Sequence, residues 1–475
     1  MVSSTSVSAS PDALPYTSPS LVTVLVLSSY LLLLSVCYHA FQRLLSAGIL
    51  GPLVLGAIYA RPLGDILPLD VQSTILSIGF LGLILLIVQG GIVARMDILA
   101  SPVNLGMAVL VGATGVVLPI GFSMALLPAG FGYGLLESFT VGAALASTSL
   151  GTTFAVLSTY KDRTKEALLD DIIGLVITSV VSTLGSSTQS GGGLSSVPPW
   201  TIARPVVSSF LLLIISWLLS RYILAPLSRS VIISALIRYT AAARTPAEPS
   251  SSGRVAGGLR RAMAGLHANL GLQQMIATTL LVSTVLAYCV ISEEIGSSLL
   301  IGAFCAGAMM KYLYALWAER TWPRSEQCLW SPEHLFTHTA LGVVQETLLM
   351  PFFFSSIGSA IPVRSMFTAS TVWRGIIFAG LMALAKVAAE LVEPPVWPAA
   401  LFLGVSLMSR GEIGYLIINI ANRSGLVGQQ AFNVAIWAIT LNTLAGPLAI
   451  AFLMRSQYGP LLLGLTPASR RSRWS

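Results

Sequence analysis

Val71-Gln72-Ser73-Thr74-Ile75-Leu76-Ser77-Ile78-Gly79-Phe80-Leu81-Gly82-Leu83-Ile84-Leu85-Leu86-Ile87-Val88-Gln89-Gly90-Gly91-Ile92-Val93 runs for 23 residues without one charged side chain. A hydrocarbon layer about 30 Å thick is crossed by about 20 apolar residues in a helix. Inside lipid every backbone N–H and C=O must be satisfied within the segment, and a helix does that by itself. The stretch therefore reads as a transmembrane helix. Working outward with the same criterion gives about thirteen spans. Six fall at 21–46, 49–66, 71–93, 104–127, 136–159 and 164–188, and a seventh at 203–227. Six more fall at 271–291, 294–312, 341–362, 374–392, 399–422 and 429–455.

Composition agrees. Of 475 residues, 55% are hydrophobic and 9% charged, against about 25% charged in a soluble domain. The mean hydropathy is +0.82. A net charge of +7 raises the question of nucleic acid, but Lys and Arg fall in short segments between apolar runs rather than in one aromatic-interleaved patch. Cys37, Cys289, Cys305 and Cys328 show neither paired nor metal-ligand spacing, which argues against a disulfide framework.

The expected fold is all-α integral membrane, with the spans arranged as two inverted six-helix repeats around a connector. Residues 1–20, rich in Ser and Pro, read as a disordered N-terminal tail. Residues 21–227 form the first repeat with its connector, 228–270 a cytoplasmic linker, 271–455 the second repeat, and 456–475 a basic cytoplasmic tail. An odd spacer between two equal blocks inverts the second relative to the first, the layout of transporters whose ion site lies at the midplane. A bundle without internal symmetry is the ordinary alternative. With the N-terminus outside, 18 Lys and Arg lie on the cytoplasmic side and five (Arg61, Arg204, Arg364, Arg374, Arg423) on the other, the bias that sets orientation.

Ionisable side chains in mid-span cost roughly 2.5–3.5 kcal/mol on insertion scales, so each needs a reason. Leu169-Asp170-Asp171-Ile172-Ile173-Gly174 places two carboxylates about 100° apart on one helix. Burial and a neighbouring negative charge both favour the protonated acid. Carboxylate oxygens are also hard ligands for a dehydrated alkali cation, so proton and cation compete for one place. The plainer alternative is a pair of interfacial carboxylates at a helix N-terminus. Ser147-Thr148-Ser149, with Gly151 following, weakens the fifth span and can free oxygens at mid-depth; hydroxyls acting as helix–helix glue are the alternative. Lys386 lies about twelve residues into its span, too deep to snorkel easily, and needs a carboxylate, for which Asp170 is the candidate. Arg410 and Glu412 can pair with each other or brace unwound backbone.

These residues resemble the sodium/proton exchanger superfamily, in the cation/proton antiporter branch with a double-aspartate site. The likeness runs over approximately 45–455. Gly51-Pro52-Leu53-Val54-Leu55-Gly56, Leu85-Leu86-Ile87-Val88-Gln89-Gly90-Gly91, Thr148-Ser149-Leu150-Gly151 and Leu169-Asp170-Asp171-Ile172-Ile173-Gly174 carry it in the first half. Gly302-Ala303-Phe304-Cys305-Ala306-Gly307, Pro351-Phe352-Phe353-Phe354, Ser409-Arg410-Gly411-Glu412 and Thr443-Leu444-Ala445-Gly446-Pro447 carry it in the second. The resemblance implies an exchanger of Na+ or K+ for protons with no cofactor beyond the transported ions. Asp171 would be the principal carrier of cation and proton, and Asp170 the partner of Lys386. Thr148 and Ser149 would lend oxygens, and Arg410 and Glu412 would hold the core helices. It implies a homodimer in which a core domain moves against a dimerisation domain.

One departure stands out: 22 residues separate Thr148 from Asp170, where the family has about two helical turns more. That shortening keeps a second reading open, a non-exchanging channel or transport-inactive regulatory protein on the same fold. An enzyme is disfavoured. His334 and His338 stand at i, i+4, but Leu335 follows the first, so this is not H-E-x-x-H.

Overall fold

The computed structural model describes residues 18–45, 48–61, 63–94, 102–148, 164–189, 198–224, 270–321, 331–337, 339–390 and 404–455. Among the described residues all regular structure is helical. The first half comprises α1 (Leu21–Leu45), α2 (Leu50–Tyr59), α3 (Leu69–Val93), α4 (Pro102–Leu126), α5 (Leu135–Ala146), α6 (Thr164–Gln189) and α7 (Pro199–Leu218). The second comprises α8 (Leu270–Glu294), α9 (Leu299–Thr321), the short α10 (Pro332–Thr337), α11 (Ala340–Ala360), α12 (Ala369–Glu390), α13 (Glu412–Arg423) and α14 (Gln429–Arg455). α4 runs into a π turn at Leu127–Phe131, and α11 contains one at Gln345–Leu349.

Eight of these helices are long and apolar enough to cross a membrane, and Leu50–Tyr59, Leu135–Ala146, Ile172–Ser187 and Leu299–Ala315 are shorter apolar helices. The outer surface is what a lipid solvent demands. Leu32 on α1 is 67% exposed and Val290 on α8 is 61% exposed, an arrangement that water would penalise over so many residues.

The helices sort into two bundles, each drawing on both halves of the chain. α1, α2 and α3 pack with α8, α9 and α11; α4, α5 and α6 pack with α12, α13 and α14. Glycines make the closest crossings. A methyl placed on Gly51 would sit 2.4 Å from Cys37 O on α1, and one on Gly302 would sit 2.5 Å from Tyr288 O on α8. On Gly56 it would meet Ser355 O of α11 at 2.0 Å, and on Gly307 it would meet Val88 O of α3 at 2.1 Å. On Gly358 it would meet Leu53 O at 1.9 Å, and on Gly91 it would meet Phe304 O at 2.2 Å. These close approaches need residues without a side chain.

The three pairs of contacts recur at two offsets along the chain. Gly51, Cys37, Leu53 and Gly56 each correspond to the residue 251 positions later: Gly302, Tyr288, Phe304 and Gly307. Val88 and Gly91 correspond to Ser355 and Gly358, 267 positions later. Gly82 packs on the backbone oxygen of Leu349, also 267 positions away.

Candidate functional site

Two helices stop in the buried interior of the second bundle. α5 ends at Ala146, and Ser147 turns to extended backbone (φ −66°, ψ 143°). The local cause is in the side chains: Ser147 Oγ donates to Ala144 O at 2.8 Å, so a hydroxyl takes a carbonyl that the next helical turn would have used. The helical stretch 404–407 likewise ends before Ser409, and Gly411 (φ −159°, ψ −138°) precedes the restart at Glu412.

The breaks face each other. Arg410 is fully buried, and its Nη1 donates to Ala146 O at 3.2 Å and to Ser147 O at 3.0 Å. These are the terminal carbonyls that a helix leaves without intrahelical partners. A guanidinium there also meets the negative end of the α5 dipole, and charge-assisted hydrogen bonds of this kind are roughly twice as strong as neutral ones. Gly414 packs under the same turn, where a methyl would lie 2.8 Å from Ala144 O.

Each break is backed by a continuous helix. On α6, a methyl at Gly174 would lie 3.3 Å from Ser147 Cβ; on α14, one at Gly446 would lie 2.7 Å from Ser409 Cβ. The Thr443 hydroxyl of α14 is shared between Ile439 O, at 2.7 Å, and Arg410 O. Glu137 ties the outer ends together, accepting from Gly134 N at 3.0 Å and Gly428 N at 2.7 Å.

Thr148 is buried directly after the first break, and Ser149 lies outside the described residues. Asp170 and Asp171 lie on α6, within a turn of Gly174; their side chains are not among those described. Lys386 on α12 is 1% exposed and is not without a partner. Glu412 opens α13, with its side chain again outside the described set. His334 lies on α10, and His338 lies outside the described residues.

Sequence reasoning gave Thr443 only as the first residue of a motif, without a role, and missed Asn442. Both are buried, at 0% and 3% exposure, and Asn442 is on the α14 face that carries Gly446 one turn later. The available signal was two polar residues side by side in an apolar run, four and three positions before a glycine that has to meet another backbone.

Residues 253–456 match the family model described as sodium/hydrogen exchanger, transmembrane. Among solved structures, the sodium proton antiporter MjNhaP1 from Methanocaldococcus jannaschii at pH 8 superposes with a TM-score of 0.55 at 15% sequence identity. The superposition covers 93% of this chain and 97% of that one. No curated protein matches by sequence. The family match over the second half points to a transporter rather than an enzyme, and the fold is shared with that antiporter over nearly the whole length.

Proposed function

We propose that this chain is a multi-pass secondary transporter that exchanges a monovalent cation, Na+ or K+, for protons by alternating access centred on Asp170 and Asp171. One observation carries the reading. The two interrupted helices meet at a buried crossing, and α6 touches that crossing through Gly174, three residues after Asp171. Three and four residues are about one helical turn, so both aspartates start within about 6 Å along the axis of the residue that touches the unwound backbone.

In this mechanism Asp171 binds cation and proton alternately. Thr148 and Ser149 contribute oxygens from the first break. Asp170 pairs with Lys386, a buried ammonium that already has a partner. Arg410 holds the broken helix ends at fixed spacing, and Glu412 shares that role. The shared register of Gly51, Gly56 and Gly91 with Gly302, Gly307 and Gly358 supports two repeats of six spans. The bundle of α4, α5, α6, α12, α13 and α14 is then the moving core. The other bundle is the frame and the face of a homodimer, supported by the wide apolar exposure of α1 and α8. The N-terminus lies outside, with the basic linker 228–270 and the tail 456–475 cytoplasmic.

Proteoliposomes holding the wild type and Asp171→Asn test the assignment. The variant should remain monodisperse and lose cation-dependent proton flux; flux at wild-type level removes Asp171 from the carrier role. The 22-residue spacing favours a second reading, a channel or a transport-inactive regulator. Cation flux indifferent to an imposed proton gradient would select the channel, and no flux at all the regulator.

A further inference from the structure

Among the described residues, the second break has buried polar groups without a hydrogen-bond partner. Ser409 Oγ and Asn442 Nδ2 are fully buried atoms without a hydrogen-bond partner. Their residues are 0% and 3% exposed. Both lie on one junction: Gly446, one turn beyond Asn442 on α14, packs on Ser409 Cα and Cβ, and Thr443 between them bonds the backbone of Arg410.

The register of the two halves gives this junction a meaning. Gly174 on α6 touches Ser147 as Gly446 on α14 touches Ser409. Matching the two contacts aligns Ser147 with Ser409, each of which follows within two residues of a helix end, at Ala146 and at Leu407. It also aligns Asp170-Asp171-Ile172-Ile173-Gly174 with Asn442-Thr443-Leu444-Ala445-Gly446. The counterpart of Asp170 is thus an amide, and the counterpart of Asp171 is a hydroxyl.

We propose that Asn442 and Ser409 form the second-half wall of the cation site, giving neutral oxygen ligands to the alkali cation that the aspartates attract. An amide can turn over about its last torsion with almost no change of shape, offering Oδ1 in place of Nδ2. Amide and hydroxyl oxygens are the uncharged counterparts of carboxylate ligands for a hard cation. They bind the cation without titrating, so they set affinity and selectivity and leave the proton count to the aspartates. The proposal rests on the exchange reading above and adds the residues that discriminate among cations.

The test uses full-length protein as wild type, Asn442→Ala, Asn442→Ser and Ser409→Ala. Apparent KM for Na+ and K+ is read from proton flux in proteoliposomes, and cation-induced thermal stabilisation is read in detergent. Asn442→Ala should raise KM for the preferred cation about tenfold, the weight of one good ligand, and shrink the thermal shift to match. Its midpoint without cation should equal that of the wild type. Ser409→Ala should move both readouts in the same direction by less. Wild-type KM and an unchanged thermal shift in Asn442→Ala would assign the amide to ordered water and overturn the proposal. If Asn442→Ala fails to fold, Asn442→Ser and Ser409→Ala carry the same test. If the wild type shows no exchange, the exchange reading falls by itself, and the thermal shift still decides whether Asn442 binds cation.

Discussion

The break at Ser147–Thr148 and the break at Ser409–Gly411 have the same backbone plan and opposite chemistry. Each ends a helix in the buried interior, and each rests its serine on a glycine of a neighbouring continuous helix. The first is backed by a helix that carries Asp170 and Asp171, the second by one that carries Asn442 and Thr443. The second break also supplies Arg410, whose guanidinium reaches across to close the open end of the first. A repeated scaffold thus hosts an unrepeated set of side chains. The close backbone crossings constrain both halves alike, because a carbonyl at 2 Å from a would-be methyl excludes any side chain in either. The side chains facing the crossing are under no such rule.

The comparison can be broken at several points. The largest effect belongs to Arg410→Ala, which leaves Ala146 O and Ser147 O without their donor and should cost about 3–5 kcal/mol, the range for breaking a buried charged contact. Thermal unfolding in detergent would show it; an unchanged midpoint would mean that the two breaks do not depend on each other. Arg410→Lys should recover only part, since an ammonium lacks the planar fork.

Next come the paired glycines. Gly56→Ala and Gly307→Ala should destabilise by similar amounts, about 1–3 kcal/mol each as overpacking. Gly121→Ala and Gly380→Ala, where a methyl meets nothing within 4 Å, should be neutral or mildly stabilising through helix propensity. Unequal losses in the first pair, measured side by side, would argue against a shared register.

Thr443→Val removes the shared hydroxyl from Arg410 O while keeping the volume, for a loss of about 1 kcal/mol; an effect as large as that of Arg410→Ala would put Thr443 at the centre of the crossing. The smallest change is at the rim. Glu137→Ala unties Gly134 and Gly428 and should cost about 0.5–2 kcal/mol as a lost cap. Hydrogen exchange should rise at the starts of α5 and α14 and stay unchanged at Ser147 and Ser409.

By itself the sequence determined the class of the molecule and the place of its helices. Uncharged runs of about 20 residues admit one solution in lipid, so α1, α3 and α14 can be read directly from composition. The short helices were harder. Span five was read as 136–159 with a weak point at Ser147-Thr148-Ser149; α5 stops at Ala146, at that weak point, and residues 149–159 lie outside the described residues. Asp170, Asp171, Lys386 and Arg410 could be singled out because a charge in an apolar run is conspicuous. Ser409 and Thr443 entered only as members of motifs, with no role of their own, and Asn442 did not enter at all, because neutral polar residues are common in membrane helices. Only the tertiary structure decided that the guanidinium of Arg410 faces the end of α5, that Gly174 and Gly446 support the two breaks, and that glycine contacts of the first half have counterparts in the second. The Arg410 contacts join residues more than 250 positions apart, and no local pattern encodes which distant backbone a glycine will meet.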